Sequence, residues 1–211
     1  MMKKKFLVLL TLIFVLVLSA CGGGFKPDHK YKVEPFEFTN QDHEKVSNED
    51  LKGEVWLAQF IFTVCEDACP PMMSNMFTLQ KKLQEKNVED YKVVAFSIDP
   101  ETDTPEALKD YMEAFVALTD NDKKELGVDD QHLRDKWELL TGYDMKTIEK
   151  LAASSFKQVV KEIPNSNQVL HSVSFGLVNQ DGEVVKLYDG RDDVPYDTIV
   201  KDMKALIKEG N

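Results

Sequence analysis

The 211-residue sequence predicts an α/β domain built on a mixed central sheet with helices on both faces. Three observations carry that expectation. Val55 to Thr63 and Tyr91 to Ile98 are so rich in apolar, β-branched and aromatic residues that they read as central strands buried on both faces. Amphipathic stretches at helical spacing follow them. Late in the chain, two further strand patterns flank Asn179-Gln180-Asp181-Gly182, which is hairpin turn chemistry.

Taken in order, Pro35 to Phe38 alternates weakly and is expected as an edge strand. Met72 to Lys86 places Met72, Met76, Leu79 and Leu83 on one helical stripe. Pro105 opens a helix through Phe115, at the favoured first-turn position for proline. Thr119 to Asp135 is polar and reads as a solvated loop or a surface helical insertion. Thr147 to Lys161 is a further amphipathic helix, with Ile148, Leu151, Ala152, Phe156 and Val159 on one side. Gln168 to Val178 and Val184 to Tyr188 form the hairpin, and Tyr196 to Ile207 closes the chain as a helix. A thioredoxin-like sandwich on a four- or five-stranded sheet fits this order.

Composition narrows the function. With 37 acidic against 26 basic residues, net −11, the chain is a poor match for a phosphate backbone, so no nucleic-acid partner is expected. Nor does any motif point to a small-molecule substrate. The 43% apolar content is enough to fill a core. Three cysteines exclude a disulfide-dense scaffold and an all-cysteine zinc site.

The first of them, Cys21, follows a basic start and the apolar run Phe6 to Leu18, the pattern of a secretory signal over residues 1–20. As a helix that run spans roughly 20 Å, short of a hydrocarbon core of about 30 Å. Leu18-Ser19-Ala20-Cys21 resembles the lipobox of bacterial lipoproteins. The resemblance implies cleavage before Cys21, acylation of that residue and a lipid anchor on the extracytoplasmic face of the membrane. Residues 21–34 then read as a tether, flexible over Gly22 to Lys30, and 35–211 as the domain.

The remaining pair carries the chemistry. Cys65 and Cys69 lie in Thr63-Val64-Cys65-Glu66-Asp67-Ala68-Cys69-Pro70-Pro71, between a central strand and a helix, where open sheets place their sites. Pro70 disfavours helical geometry at Cys69, so the dithiol is expected on a loop or turn with the helix starting near Pro71. Two thiols at this spacing can close a disulfide, exchange with a partner's disulfide or grip a soft cation. A purely structural disulfide is disfavoured by the tiny loop it would close.

Among the histidines, His29, His43 and His132 lie in the tether or in polar stretches and read as solvated. His171 sits at the start of the late strand pattern, alternating with apolar Val173 and Phe175, so it faces inward or lines a crevice. Two thiolates and an imidazole suit copper; zinc would want a fourth ligand, for which Asp67 is the nearby carboxylate. Met72, Met73 and Met76 are assigned to packing rather than to the site.

Several motifs together resemble the SCO/SenC family of cytochrome oxidase assembly proteins. They are Phe60-Ile61-Phe62-Thr63 before Cys65-x3-Cys69-Pro70; Phe96-Ser97-Ile98-Asp99-Pro100 with Asp103-Thr104-Pro105; Leu139-Leu140-Thr141-Gly142; and Val169-Leu170-His171-Ser172 before Gly176-Leu177-Val178. In order, they cover roughly residues 35–207. The resemblance implies a thioredoxin-like fold and copper held by Cys65, Cys69 and His171. It also implies a role in building the dinuclear copper centre of cytochrome c oxidase, with the copper-bearing oxidase subunit as partner. Where the family often has Pro after the first cysteine, this chain has Glu66. A thiol–disulfide oxidoreductase using Cys65 and Cys69 to keep the oxidase subunit's cysteines reduced is the alternative. A peroxidase of the same fold usually places Thr three residues before the reactive cysteine, where this chain has Phe62.

Overall fold

The computed structural model describes residues 25–118, 130–164, 166 and 168–210. Ten strands are present among them: β1 Tyr31–Lys32, β2 Glu37–Thr39, β3 Lys45–Ser47, β4 Val55–Ile61, β5 Tyr91–Ser97, β6 Trp137–Leu140, β7 Val160–Glu162, β8 Val169–His171, β9 Ser174–Val178 and β10 Glu183–Asp189. The helices are α1 Cys69–Glu85, α2 Pro105–Leu118, α3 Asp130–Arg134, α4 Met145–Leu151 and α5 Tyr196–Gly210. Six strands form one sheet in the order β1-β10-β9-β4-β5-β6. β4, β5 and β6 run parallel, and β9, β10 and β1 add antiparallel neighbours. This is the thioredoxin-like α/β arrangement expected, widened at both edges.

The two central strands are buried along nearly their whole length because both sheet faces are covered. On one face Gln59 and Trp137 meet α1: the Gln59 amide donates to the Met73 sulfur at 3.1 Å, and Phe77 lies 5.3 Å from the Trp137 ring. On the other face Phe156 sits 5.5 Å from Phe60, 5.9 Å from Phe96 and 6.2 Å from Trp56. Each such ring removes about 1.5–3 kcal/mol worth of apolar surface from water. Met72, Met73 and Met76 are fully buried in the core, the packing role expected of them.

Four expectations are corrected. Residues 31–34, counted with the tether, belong to the fold: β1 pairs with β10, and the Asp28 and His29 amides donate to the Val185 carbonyl at 2.9 and 3.1 Å. Pro35 to Phe38 does not join the main sheet as its edge; β2 pairs with β3 in a separate ribbon. Trp137–Leu140, of which the sequence reading covers only Leu139 and Leu140, as part of a motif, is the outer parallel strand β6. The helix expected over 147–161 stops early. Asp144 caps α4 by accepting from the Thr147 amide at 2.8 Å, a π-helical turn follows over Ala152–Phe156, and Lys157 ends it at φ 54°. The chain then turns into β7.

Of the 119–135 insertion, residues 119–129 lie outside the described residues. Its last part is α3, where the Arg134 guanidinium holds Glu113 of α2 at 2.7 and 2.6 Å. Residues 1–24, with the signal and Cys21, also lie outside. No helix among the described residues is long and apolar enough to cross a membrane.

Candidate metal centre

The sheet's connectivity brings the ligands together. β4 ends at Ile61, and Cys65 follows four residues later. β9 runs antiparallel to β4, with Ala58 opposite Gly176 and Trp56 opposite Val178, so the start of β9 lies toward the end of β4. His171 precedes β9 by three residues. It therefore arrives at the end of the sheet that carries the cysteine turn.

The strand expected over Gln168 to Val178 is broken to do this. β8 leaves the main sheet and pairs with β7, placing Val160 opposite His171. Ser172 fixes the break: its amide donates to the Val159 carbonyl, and its hydroxyl accepts from the Val159 amide, both at 3.0 Å.

Cys65, Cys69 and His171 present ligand atoms that all lie within 4.8 Å of one another, as a three-residue cluster. His171 Nε2 is 3.7 Å from Cys69 Sγ. Its Nδ1 is 3.0 Å from the Ser172 carbonyl oxygen, which can only accept, so Nδ1 carries a proton and Nε2 is the nitrogen turned toward the sulfurs. Phe62 meets the imidazole edge-on at 6.1 Å.

Cys69 is the first residue of α1, not a loop residue before it. Pro70 and Pro71 are tolerated in the first helical turn, where their missing N–H groups have no intrahelical partner to lose. The Cys69 amide is left free to donate to Cys65 Sγ, at 3.2 Å. The two sulfurs, unbonded to each other, are consequently unequal. The Cys65 thiol is lowered to about 4, first because the Cys69 thiol donates to it, against the opposing effect of burial, and then through His171 and the amides of Cys69 and Asp67. The Cys69 thiol is raised by the adjacent Cys65 sulfur and by burial.

Sequence reasoning gave no role to three neighbours. Asp103, fully buried, accepts from the Thr63 amide at 3.0 Å, the Thr63 hydroxyl at 2.6 Å and the Ser97 hydroxyl at 2.6 Å, anchoring the start of the cysteine turn; burial raises its pKa. Tyr111 of α2 has a buried hydroxyl with no hydrogen-bond partner among the described residues; burial first, and then charge at Cys69, Cys65 and Asp103, keeps it protonated. Arg191 holds Asp67 from across the site, at 2.8 and 3.3 Å. That pairing corrects the reading of Asp67 as a spare ligand: its carboxylate is engaged outside the cluster. The signal available was Asp189-Gly190-Arg191-Asp192-Asp193, a lone cation among acids after a strand.

His43 is exposed at φ 62° and pairs with Glu106, and His29 stacks on Tyr31; neither approaches the cysteines. The side chain of His132 lies outside what is described.

Fold and cluster together define a thioredoxin-like protein with a dithiol–imidazole site at the carboxyl end of its central strand. A model of the SCO1/SenC family matches residues 26–208, and the chain belongs to that family. It is 47% identical over 195 residues to the SCO1 protein homolog of Bacillus subtilis, covering 92% of each chain. The solved structure of BsSco, described by a disulfide switch in a member of the Sco family of cytochrome c oxidase assembly proteins, has a TM-score of 0.72 at 44% identity. The match covers 87% of this chain and 97% of that one. Bradyrhizobium japonicum ScoI, solved with copper bound, has a TM-score of 0.63 at 25% identity, covering 83% and 99%.

Proposed function

We propose that this protein is a copper carrier, lipid-anchored through Cys21 on the extracytoplasmic face of the membrane, that supports assembly of the dinuclear copper centre of cytochrome c oxidase. The observation that carries the reading is the cluster of two sulfurs and one imidazole nitrogen within 4.8 Å. Its chemistry fits the ion: thiolates are soft, imidazole suits copper, and three donors satisfy Cu(I). The Ser172 carbonyl fixes the tautomer that a ligating Nε2 requires. Copper is here the cargo. Loading releases the Cys69 proton, because only the thiolate is a ligand. The acidic surface raises the local concentration of cations around the site. The anchor rests on the lipobox resemblance, and the copper-bearing oxidase subunit is the recipient that family membership supports.

Copper titration of the reduced fragment 22–211 tests the reading. We expect a one-to-one complex with thiolate-to-copper charge-transfer absorption. Absence of stoichiometric binding in both Cu(I) and Cu(II) would remove the carrier function.

The inequality of the sulfurs favours a second reading, thiol–disulfide exchange. The Cys65 thiolate attacks a partner's disulfide, forming a mixed disulfide and releasing one partner thiolate, which takes up a proton. Cys69, losing its proton, then attacks Cys65 and releases the second partner thiolate; the partner gains two electrons and Cys65–Cys69 is left oxidised. His171→Ala separates the two. As carrier the protein loses copper affinity; as reductant it keeps its exchange activity while Cys65→Ala loses it.

A further inference from the structure

Asp67 sits between the two sulfurs in sequence, and its backbone N–H is among the groups directed at Cys65. Asp67 lies on the turn that joins the two cysteines, so its short carboxylate side chain is a candidate fourth ligand for an ion held there. Arg191 prevents this with two hydrogen bonds, Nη2 to Oδ1 at 2.8 Å and Nη1 to Oδ2 at 3.3 Å. A planar fork against a carboxylate is the geometry in which such a pair is directional rather than diffuse.

Arg191 is itself held in place. Its amide donates to Asp189 Oδ1 at 2.7 Å, and its carbonyl accepts from Asn75 Nδ2 at 2.8 Å. Asn75 projects from α1, the helix that begins at Cys69, and its Oδ1 accepts from the Tyr196 hydroxyl at 2.8 Å. Gly190 packs so closely on Phe175 that an added Cβ would fall 2.9 Å from the ring. The loop carrying the guanidinium is therefore clamped to the helix carrying one of the sulfurs.

Resting on the three-ligand reading, we propose that Arg191 is a metal-selectivity residue: it holds Asp67 out of the fourth coordination position and so disfavours zinc and other ions that demand a tetrahedral shell. Zn²⁺ in closed sites takes four ligands, and a carboxylate oxygen beside two thiolates and an imidazole would complete the set. Cu(I) is content with the three soft and borderline donors already there. Arg191 touches no ligand atom of the cluster; it acts through Asp67.

The test titrates reduced fragment 22–211 with Co²⁺, read by its d–d absorption, and with Zn²⁺ by competition, in wild type, Arg191→Gln, Asp67→Asn and the double variant. Arg191→Gln is expected to gain about tenfold in Zn²⁺ and Co²⁺ affinity, the size typical of changes just outside a ligand shell, and to show the intense bands of four-coordinate Co²⁺. Copper affinity stays within about twofold, and Asp67→Asn in the double variant returns zinc and cobalt to wild-type behaviour. Arg191→Lys, which keeps the charge and loses the fork, falls between. Unchanged Zn²⁺ and Co²⁺ affinities and spectra in Arg191→Gln, with copper still bound, overturn this inference alone. A wild type that binds neither copper nor zinc overturns the three-ligand reading with it. A gain that persists in the double variant also overturns it, because Asp67 would then not be the added ligand.

Discussion

Cys65 is 8% exposed and receives hydrogen bonds; Cys69 is fully buried and gives one. These contacts favour a thiolate on Cys65 over one on Cys69. We expect iodoacetamide at pH 6 to modify Cys65 in the reduced protein while Cys69 resists until the chain is unfolded, with peptide mapping as the readout. Absorbance near 240 nm should correspond to one thiolate and fade as the pH falls toward about 4. Equal labelling, or a thiolate that forms only near pH 9, contradicts this inequality. In His171→Ala the midpoint of that fade moves up, since a group that lowers the Cys65 pKa is gone. Both sulfurs and the imidazole were legible in the sequence because their residue types carry the chemistry wherever they stand. The order of acidity was not, because it depends on which sulfur the first amide of α1 points at.

At the scale of elements, the cysteine turn hangs from Asp103, which reaches it from the segment between β5 and α2. Asp103→Ala strands the Thr63 amide and the hydroxyls of Thr63 and Ser97 in a buried place, and should destabilise the protein by about 2–4 kcal/mol in urea unfolding. Asp103→Asn retains an acceptor oxygen for Thr63 and should lose about 1 kcal/mol. If the two variants are equally stable, the carboxylate does not anchor the turn. Long periodic elements were readable: β4, β5, α1 and α5 lie where patterning put them. The β7–β8 ribbon was not, since Val159 and Val160 continue a helical stripe and only the π-helical turn at Ala152–Phe156 and the left-handed Lys157 divert them. β6 was missed for its brevity; four residues, WELL, carry too little alternation to announce a strand beside a polar insertion. Gly190→Ala, pressing on Phe175, should lower the melting temperature and, by loosening the Arg191 loop, move zinc affinity in the same direction as Arg191→Gln.

For the molecule as a whole, the sheet is bounded by strands drawn from unexpected places, β1 from the supposed tether and β6 from just after the insertion. Composition concealed β1, because three glycines precede it and Tyr31–Lys32 is a run of two. A fragment beginning at residue 35 should therefore melt lower than one beginning at residue 22 and self-associate, as the uncovered edge of β10 becomes available for pairing. Light scattering and thermal unfolding of the two fragments check this, and identical behaviour would mean that β1 adds nothing. The closure of that edge has a temporal side. Synthesis proceeds from the amino terminus, yet Tyr31 finds its partner in Val184 and Lys32 in Glu183. The first of the described strands thus waits for the last of them, and a nascent chain cannot finish this sheet until Val184 has left the ribosome.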